Sequence, residues 1–178
     1  TKNIMKQYYP DIVYHKLHTG ESFTLADLRI DVVYTHEDAV SAAGTTEIGD
    51  FNSTSTVLKM YFDGIEYMQL GDMSGVAEAA IVSVHSAEYL KSDMMQVAHH
   101  CFNYLDNLYP LIRADVALFP QSMYNCKNLE NDGDNLYKYQ SIMKYATQEY
   151  FAHKFTYKMT VNEDGEIEAE ALPRYDAA

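Results

Sequence analysis

Apolar residues alternate with polar ones along Leu28-Arg29-Ile30-Asp31-Val32-Val33-Tyr34, and several are β-branched. That period predicts a strand with one face in a core. Residues 12–17 and 54–62 read the same way. Asp63-Gly64 supplies the pair of a two-residue hairpin turn, and residues 65–70 form the return strand. Over residues 75–90 the period lengthens, with Val76, Ala79, Ala80, Val82, Val84 and Leu90 suited to a helix packed on a sheet. Residues 94–98 and 115–119 are short apolar runs of the kind buried within a sheet. Helices are predicted over residues 105–112, with Pro110 near an end, and over 136–151. Residues 155–161 and 167–171 are strands joined through the hairpin pair Asp164-Gly165.

Residues 1–10 read as a linker or helix end, 35–52 as a long loop, 121–134 as a polar loop and 172–178 as a polar tail. Strands first in hairpins and then alternating with helices indicate an α/β fold with a mixed β-sheet flanked by helices. The 178 residues suffice for a single domain, or for a half-domain of a larger fold.

Charge narrows the function classes. A net charge of −13 argues against nucleic-acid or anionic-membrane binding by this segment alone, because both need a cationic surface. No run of 18 apolar residues is present, so no membrane span is encoded. The N-terminal residues Thr1 to Lys6 have neither a signal-peptide core nor an initiator Met, and read as the edge of a processed or shortened chain. A cytoplasmic and an extracellular location are not distinguished. Cys101 and Cys126 do not form a disulfide framework. Cys101 follows His100, so metal ligation competes with the commoner role of a small buried hydrophobe.

Two short motifs carry candidate chemistry. In Leu70-Gly71-Asp72-Met73-Ser74 a strand ends, glycine turns the backbone and a carboxylate precedes a helix. Helix capping by Asp72 or Ser74 is the commoner use of such residues. His99-His100 follows an apolar strand, and imidazole held at a strand tip is a good metal ligand. The two motifs lie 27 residues apart, the span of a crossover that returns the chain to the same sheet. Their pairing is therefore more specific than either motif. His15, His18, His36, His85 and His153 have no ligand spacing and read as structural or surface groups. The Asp132-Gly133-Asp134 loop lacks the alternating oxygen ligands of a calcium site.

Residues 12–170, most sharply 52–122 from Asn52-Ser53-Thr54-Ser55 through the hairpin, Gly71-Asp72, the strand ending in His99-His100 and the strand before Pro120, resemble the second half of metallo-β-lactamase-fold hydrolases. The similar branch contains the hydrolase domain of competence-type DNA-uptake proteins, bacterial proteins with a "GD" after the hairpin and an "HHGS" after the next strand. The resemblance implies an αββα sandwich in the intact protein. It also implies a zinc (or other divalent metal) pair with Asp72 as the bridging ligand and His99 or His100 on the second metal. Ester or phosphoester hydrolysis by a metal-bound water would follow. The family's His-x-His-x-Asp-His motif has no counterpart here, and Cys101-Phe102 replaces its Gly-Ser. The expectation is a segment that is inactive alone and holds metal weakly. It would pair either with a missing N-terminal half or with a second copy, through an exposed sheet face containing Val57, Leu58, Tyr61, Met68, Val97, Val116 and Leu118. The alternative is a non-catalytic binding or assembly module that keeps the fold without a working metal centre.

Overall fold

The computed structural model describes residues 2–36, 51–127, 133–152 and 155–172. Helix α1 (Lys2–Tyr8) leads into strands β1 (Ser22–Leu25), β2 (Leu28–Tyr34), β3 (Val57–Phe62) and β4 (Ile65–Gln69). Helices α2 (Gly75–Val84) and α3 (Ala87–Leu90) connect to β5 (Met94–Gln96), and α4 (Tyr109–Ile112) connects β5 to β6 (Val116–Phe119). Helices α5 (Met123–Cys126) and α6 (Gly133–Ile142) lie between β6 and β7 (Gln148–Phe151). Strands β8 (Thr156–Val161) and β9 (Ile167–Leu172) complete the described chain.

The main sheet has seven strands in the order β1-β2-β3-β4-β5-β6-β7. Pairing is antiparallel from β1 to β4 and parallel from β4 to β7. The switch follows from the connections: hairpin turns permit only antiparallel neighbours, whereas crossovers through helices permit parallel ones. Asp63 and Gly64 both adopt positive φ (48° and 79°), the backbone of a two-residue turn that matches strand twist. The chain is thus an α/β protein with a mixed sheet.

The sheet has two unlike faces. One is packed by the helices and includes Val57, Met68, Leu70, Ile81, Met95, Leu108 and Phe119. On the other, Ile65, Met94 and Val116 lie under Met159, Val161 and Ile167 of the β8–β9 hairpin. This hairpin is a separate two-stranded sheet. Its presence corrects the exposed-face expectation. Val57, Met68, Val97 and Val116 are buried, and Leu58, Tyr61 and Leu118 are half-buried. Helices cover one side, and the hairpin covers part of the other.

Several elements depart from the pattern-based reading. Residues 12–17 form no strand, and Val13 is 90% exposed. The first strand is instead β1, paired with β2 across Ala26-Asp27 and tied by Ser22 Oγ donating to Asp31 Oδ1 at 2.7 Å. The helix expected over 75–90 breaks at His85, whose backbone is extended, and Ser86 caps α3 by accepting the Tyr89 N–H. Its buried residues are Ala77, Glu78 and Ile81, whereas Val76 and Val84 face solvent. Glu78 is the unexpected one: its Oε1 accepts the N–H groups of Asn107 and Leu108 at 2.7 and 2.9 Å, anchoring the turn before α4. Helix α4 is a single turn with Pro110 in its first turn, where the missing N–H costs nothing. The helix expected over 136–151 ends at Ile142, because residues 148–151 pair with β6 as β7. Helix α5 lies inside the expected polar loop, of which residues 128–132 fall outside the described residues, as do 37–50 of the long loop. The second hairpin has a five-residue loop, 162–166, rather than a two-residue one; Asn162 Oδ1 accepts the N–H groups of Asp164 and Glu166.

Within β3, opposite Met68, Lys59 is buried. Its Nζ donates to the carbonyls of Tyr89 and Lys91 at 2.5 and 2.7 Å and pairs with Glu66 at 2.6 Å. A buried ammonium with three acceptors satisfies the condition for charge in a core.

Candidate functional site

The site forms where the parallel strands β4 and β5 end side by side. Gly71 has φ of 60°, and a Cβ there would lie 3.1 Å from Ser55 Cβ, so both conformation and space require glycine. Gln96, at the end of β5, clamps this glycine: its Oε1 accepts the Gly71 N–H at 2.6 Å and its Nε2 donates to the Gly71 carbonyl at 3.2 Å. His99 N–H donates to the same carbonyl at 3.0 Å. The next amide, Asp72 N–H, donates to Ser55 Oγ at 3.1 Å, and the Ser53 and Ser74 hydroxyls are hydrogen-bonded. The backbone bearing Asp72 is therefore fixed from β5 and from the turn Phe51–Thr54.

The histidine pair sits in a tight turn over Ala98–Cys101. His99, His100 and Cys101 have φ values of 46°, 52° and 67°. Three successive non-glycine residues in the left-handed region cost about 1–2 kcal/mol each. Surrounding bonds hold them: Ala98 N–H donates to Tyr109 Oη at 3.1 Å, Val97 N–H to the Leu118 carbonyl at 2.8 Å and Phe102 N–H to the His99 carbonyl at 2.7 Å. Such concentrated backbone strain is typical of functional sites.

The two imidazoles, 6.4 Å apart and inclined at 62°, meet different partners. His100 Nδ1 contacts the Pro120 carbonyl at 2.7 Å. A carbonyl only accepts, so Nδ1 carries the proton and the neutral ring has its lone pair on Nε2. That Nε2 lies 3.6 Å from Asp72 Oδ1, with both side chains a little under half exposed (43% and 44%). The separation exceeds a hydrogen bond, so two electron-pair donors face a common space. His99 instead turns its Nε2 toward Asn52 Nδ2 at 3.4 Å, and packs edge-on to Phe102. Its Nδ1 is buried with no hydrogen-bond partner among the described residues.

The structure thus brings donor atoms of Asp72 and His100 to a common space, while the His99 ring, 6.4 Å centroid to centroid from that of His100, aims its Nε2 at Asn52. Among the described residues no cluster of three or more His, Cys, Asp or Glu side chains is poised for a metal. Cys101 is buried in the helix-side core, where hydrogen bonding to Cys126 and burial both push its thiol up; the same hydrogen bond lowers Cys126. His85 Nε2 donates to the Val33 carbonyl at 3.0 Å and the ring stacks on Tyr89, and His15 pairs with Glu21, in line with structural roles. His36 is less remote than its sequence context indicates: its Nδ1 meets Tyr34 Oη at 3.2 Å, and that hydroxyl donates to the Ser53 carbonyl, next to Asn52. His36 Nε2 is also buried without a hydrogen-bond partner among the described residues. His153 lies outside them. Sequence reasoning missed Gln96 as an organising residue, although a lone amide inside the apolar run Met94 to Ala98 is a visible signal.

No family model matches the chain, and no curated protein matches it in sequence.

Proposed function

We propose that Asp72 and His100 are two ligands of a divalent metal, zinc in the first instance, in a metallo-β-lactamase-type centre for ester or phosphoester hydrolysis. The observation that carries this reading is the 3.6 Å approach of His100 Nε2 to Asp72 Oδ1 at the tips of adjacent parallel strands. Zinc takes nitrogen and carboxylate ligands at about 2.0–2.2 Å, so two donors on one ion stand no more than about 4 Å apart. The separation fits. The donor chemistry fits too: a ligating histidine commonly gives its other N–H to a backbone carbonyl, the part Pro120 plays.

When bound, the metal would polarise the scissile bond and lower the pKa of its water. The chain's own residues do the positioning. Gly71 and Gln96 fix where the carboxylate stands, the Pro120 carbonyl sets the tautomer of His100, and Asn52 engages Nε2 of His99. Two donors fall short of the three or four that zinc takes, so further ligands must come from outside this pair, and the chain by itself holds the ion weakly.

Isothermal titration of the purified chain with zinc, run beside Asp72→Ala, His100→Ala and His99→Ala, tests the reading. Weak binding that disappears in the first two variants and persists in the third supports it. Binding unaffected by Asp72→Ala and His100→Ala, or no binding at all, favours a module that keeps the fold for assembly.

A further inference from the structure

A groove of about 340 Å³ runs between the C-terminal ends of the parallel strands and the β8–β9 hairpin. Leu118 and Tyr150 of the main sheet form one wall, and Phe155, Tyr157 and Met159 the other. Gln96 and Pro120 also line it. Both belong to the candidate site as well: Gln96 clamps Gly71, and Pro120 accepts from His100. Groove and site are therefore contiguous through two shared residues.

The groove is apolar by construction. The Gln96 carboxamide is consumed by Gln69, Gly71 and Val97. The Tyr150 hydroxyl is turned to Gln148 at 2.8 Å. Among the described residues, no lysine, arginine, aspartate or glutamate lines the space. Its aromatic walls are set edge to face, with the Tyr150 and Tyr157 rings 5.1 Å apart and the Phe155 and Tyr157 rings 6.2 Å apart, each pair inclined at 60°. Aromatic rings prefer such offset and edge-on partners, and a volume at the small end of ligand pockets suits one or two fused rings.

We infer that this groove is a subsite for a flat, uncharged aromatic group of a small-molecule ligand. The aromatic group sits between Leu118, Tyr157 and Met159, and the ester or phosphoester end of the same molecule reaches Asp72 and His100; this second part rests on the hydrolase reading above.

The test uses the metal-free chain with methyl-labelled methionine and leucine, titrated with 1-naphthol and followed by NMR. The expected result is saturable shifts of the Met159 and Leu118 methyls, with the exposed Met5 and Leu25 methyls unmoved. Tyr157→Ala should weaken that binding about tenfold, the scale of one lost aromatic contact. Unmoved Met159 and Leu118 signals, or unsaturable drift shared with Met5, overturn the inference, and neither outcome depends on a variant folding. Because no metal is present, the result is independent of the zinc titration. Naphthol binding without zinc binding keeps the groove and removes the hydrolase; zinc binding without naphthol binding does the reverse.

Discussion

His100 holds the Pro120 carbonyl through Nδ1 at 2.7 Å while its Nε2 faces Asp72. One hydrogen bond, from the residue that stops β6, therefore decides which ring nitrogen is open to the site. Long-range proton–nitrogen NMR spectra should show His100 protonated on Nδ1 at neutral pH. A ring protonated only on Nε2 would mean that the nitrogen facing Asp72 is a donor and not a ligand atom.

Gly71→Ala should be destabilising by about 2–3 kcal/mol, summing left-handed strain with a contact that Ser55 must yield to. The added Cβ would stand 3.1 Å from Ser55 Cβ at a φ of 60°. Adding Ser55→Ala keeps the Ser55 Cβ contact, and Ser55→Gly removes it at the cost of the Oγ acceptor of the Asp72 N–H. The steric part is therefore read by comparing the double variant Gly71→Ala/Ser55→Gly with Ser55→Gly alone, and the conformational part is what remains. Urea unfolding of the single and double variants measures both. Equal stability of Gly71→Ala and the parent would show that the turn relaxes freely and does not fix Asp72.

Glu78→Ala leaves the Asn107 and Leu108 N–H groups without their acceptor near the core. Stranding such donors costs about 1–3 kcal/mol each when water cannot reach them. Denaturant midpoints should fall accordingly. A loss no greater than that of Glu88→Ala, an exposed residue in α3, would mean that solvent replaces the carboxylate.

Alkaline pH should erode stability in a defined window. Burial pushes Tyr67 up to about 12, and burial reinforced by the Asp31 charge does the same for Tyr89. The ordinary phenol value is about 10, so the unfolded chain loses these protons first. Because the folded values are raised, the stabilisation is fully present below pH of about 10 and is lost as pH climbs toward about 12. Tyr67→Phe should flatten part of that decline in urea midpoints measured across the range. An unchanged slope would assign the loss to other groups.

Hairpins and short apolar strands were legible in the sequence because their signals are local. Asp63-Gly64 dictates a turn, and the runs over β5 and β6 have no other reading once helices flank them. What escaped was settled at a distance. Residues 148–151 look like a helix end until β6 offers a parallel edge, and residues 12–17 look like a strand although no partner takes them. Glu78 lies on a buried helix face that composition alone assigns to Val76 and Val84, because its acceptor role depends on amides 29 and 30 residues away. The candidate site divides the same way. Asp72 and the His99-His100 pair stand out from spacing along the chain, whereas the different partners of the two imidazoles follow from three left-handed residues that no local pattern announces.

The β8–β9 hairpin joins the main sheet through side chains, since its backbone ladder is internal to the pair. Detaching it therefore breaks no strand pairing of the main sheet. Amides of β4, β5 and β6 should exchange with solvent deuterium only when the whole molecule unfolds, while those between β8 and β9 should exchange through a cheaper partial opening. The chain would then breathe on two timescales, and the faster one opens the aromatic wall that borders Pro120.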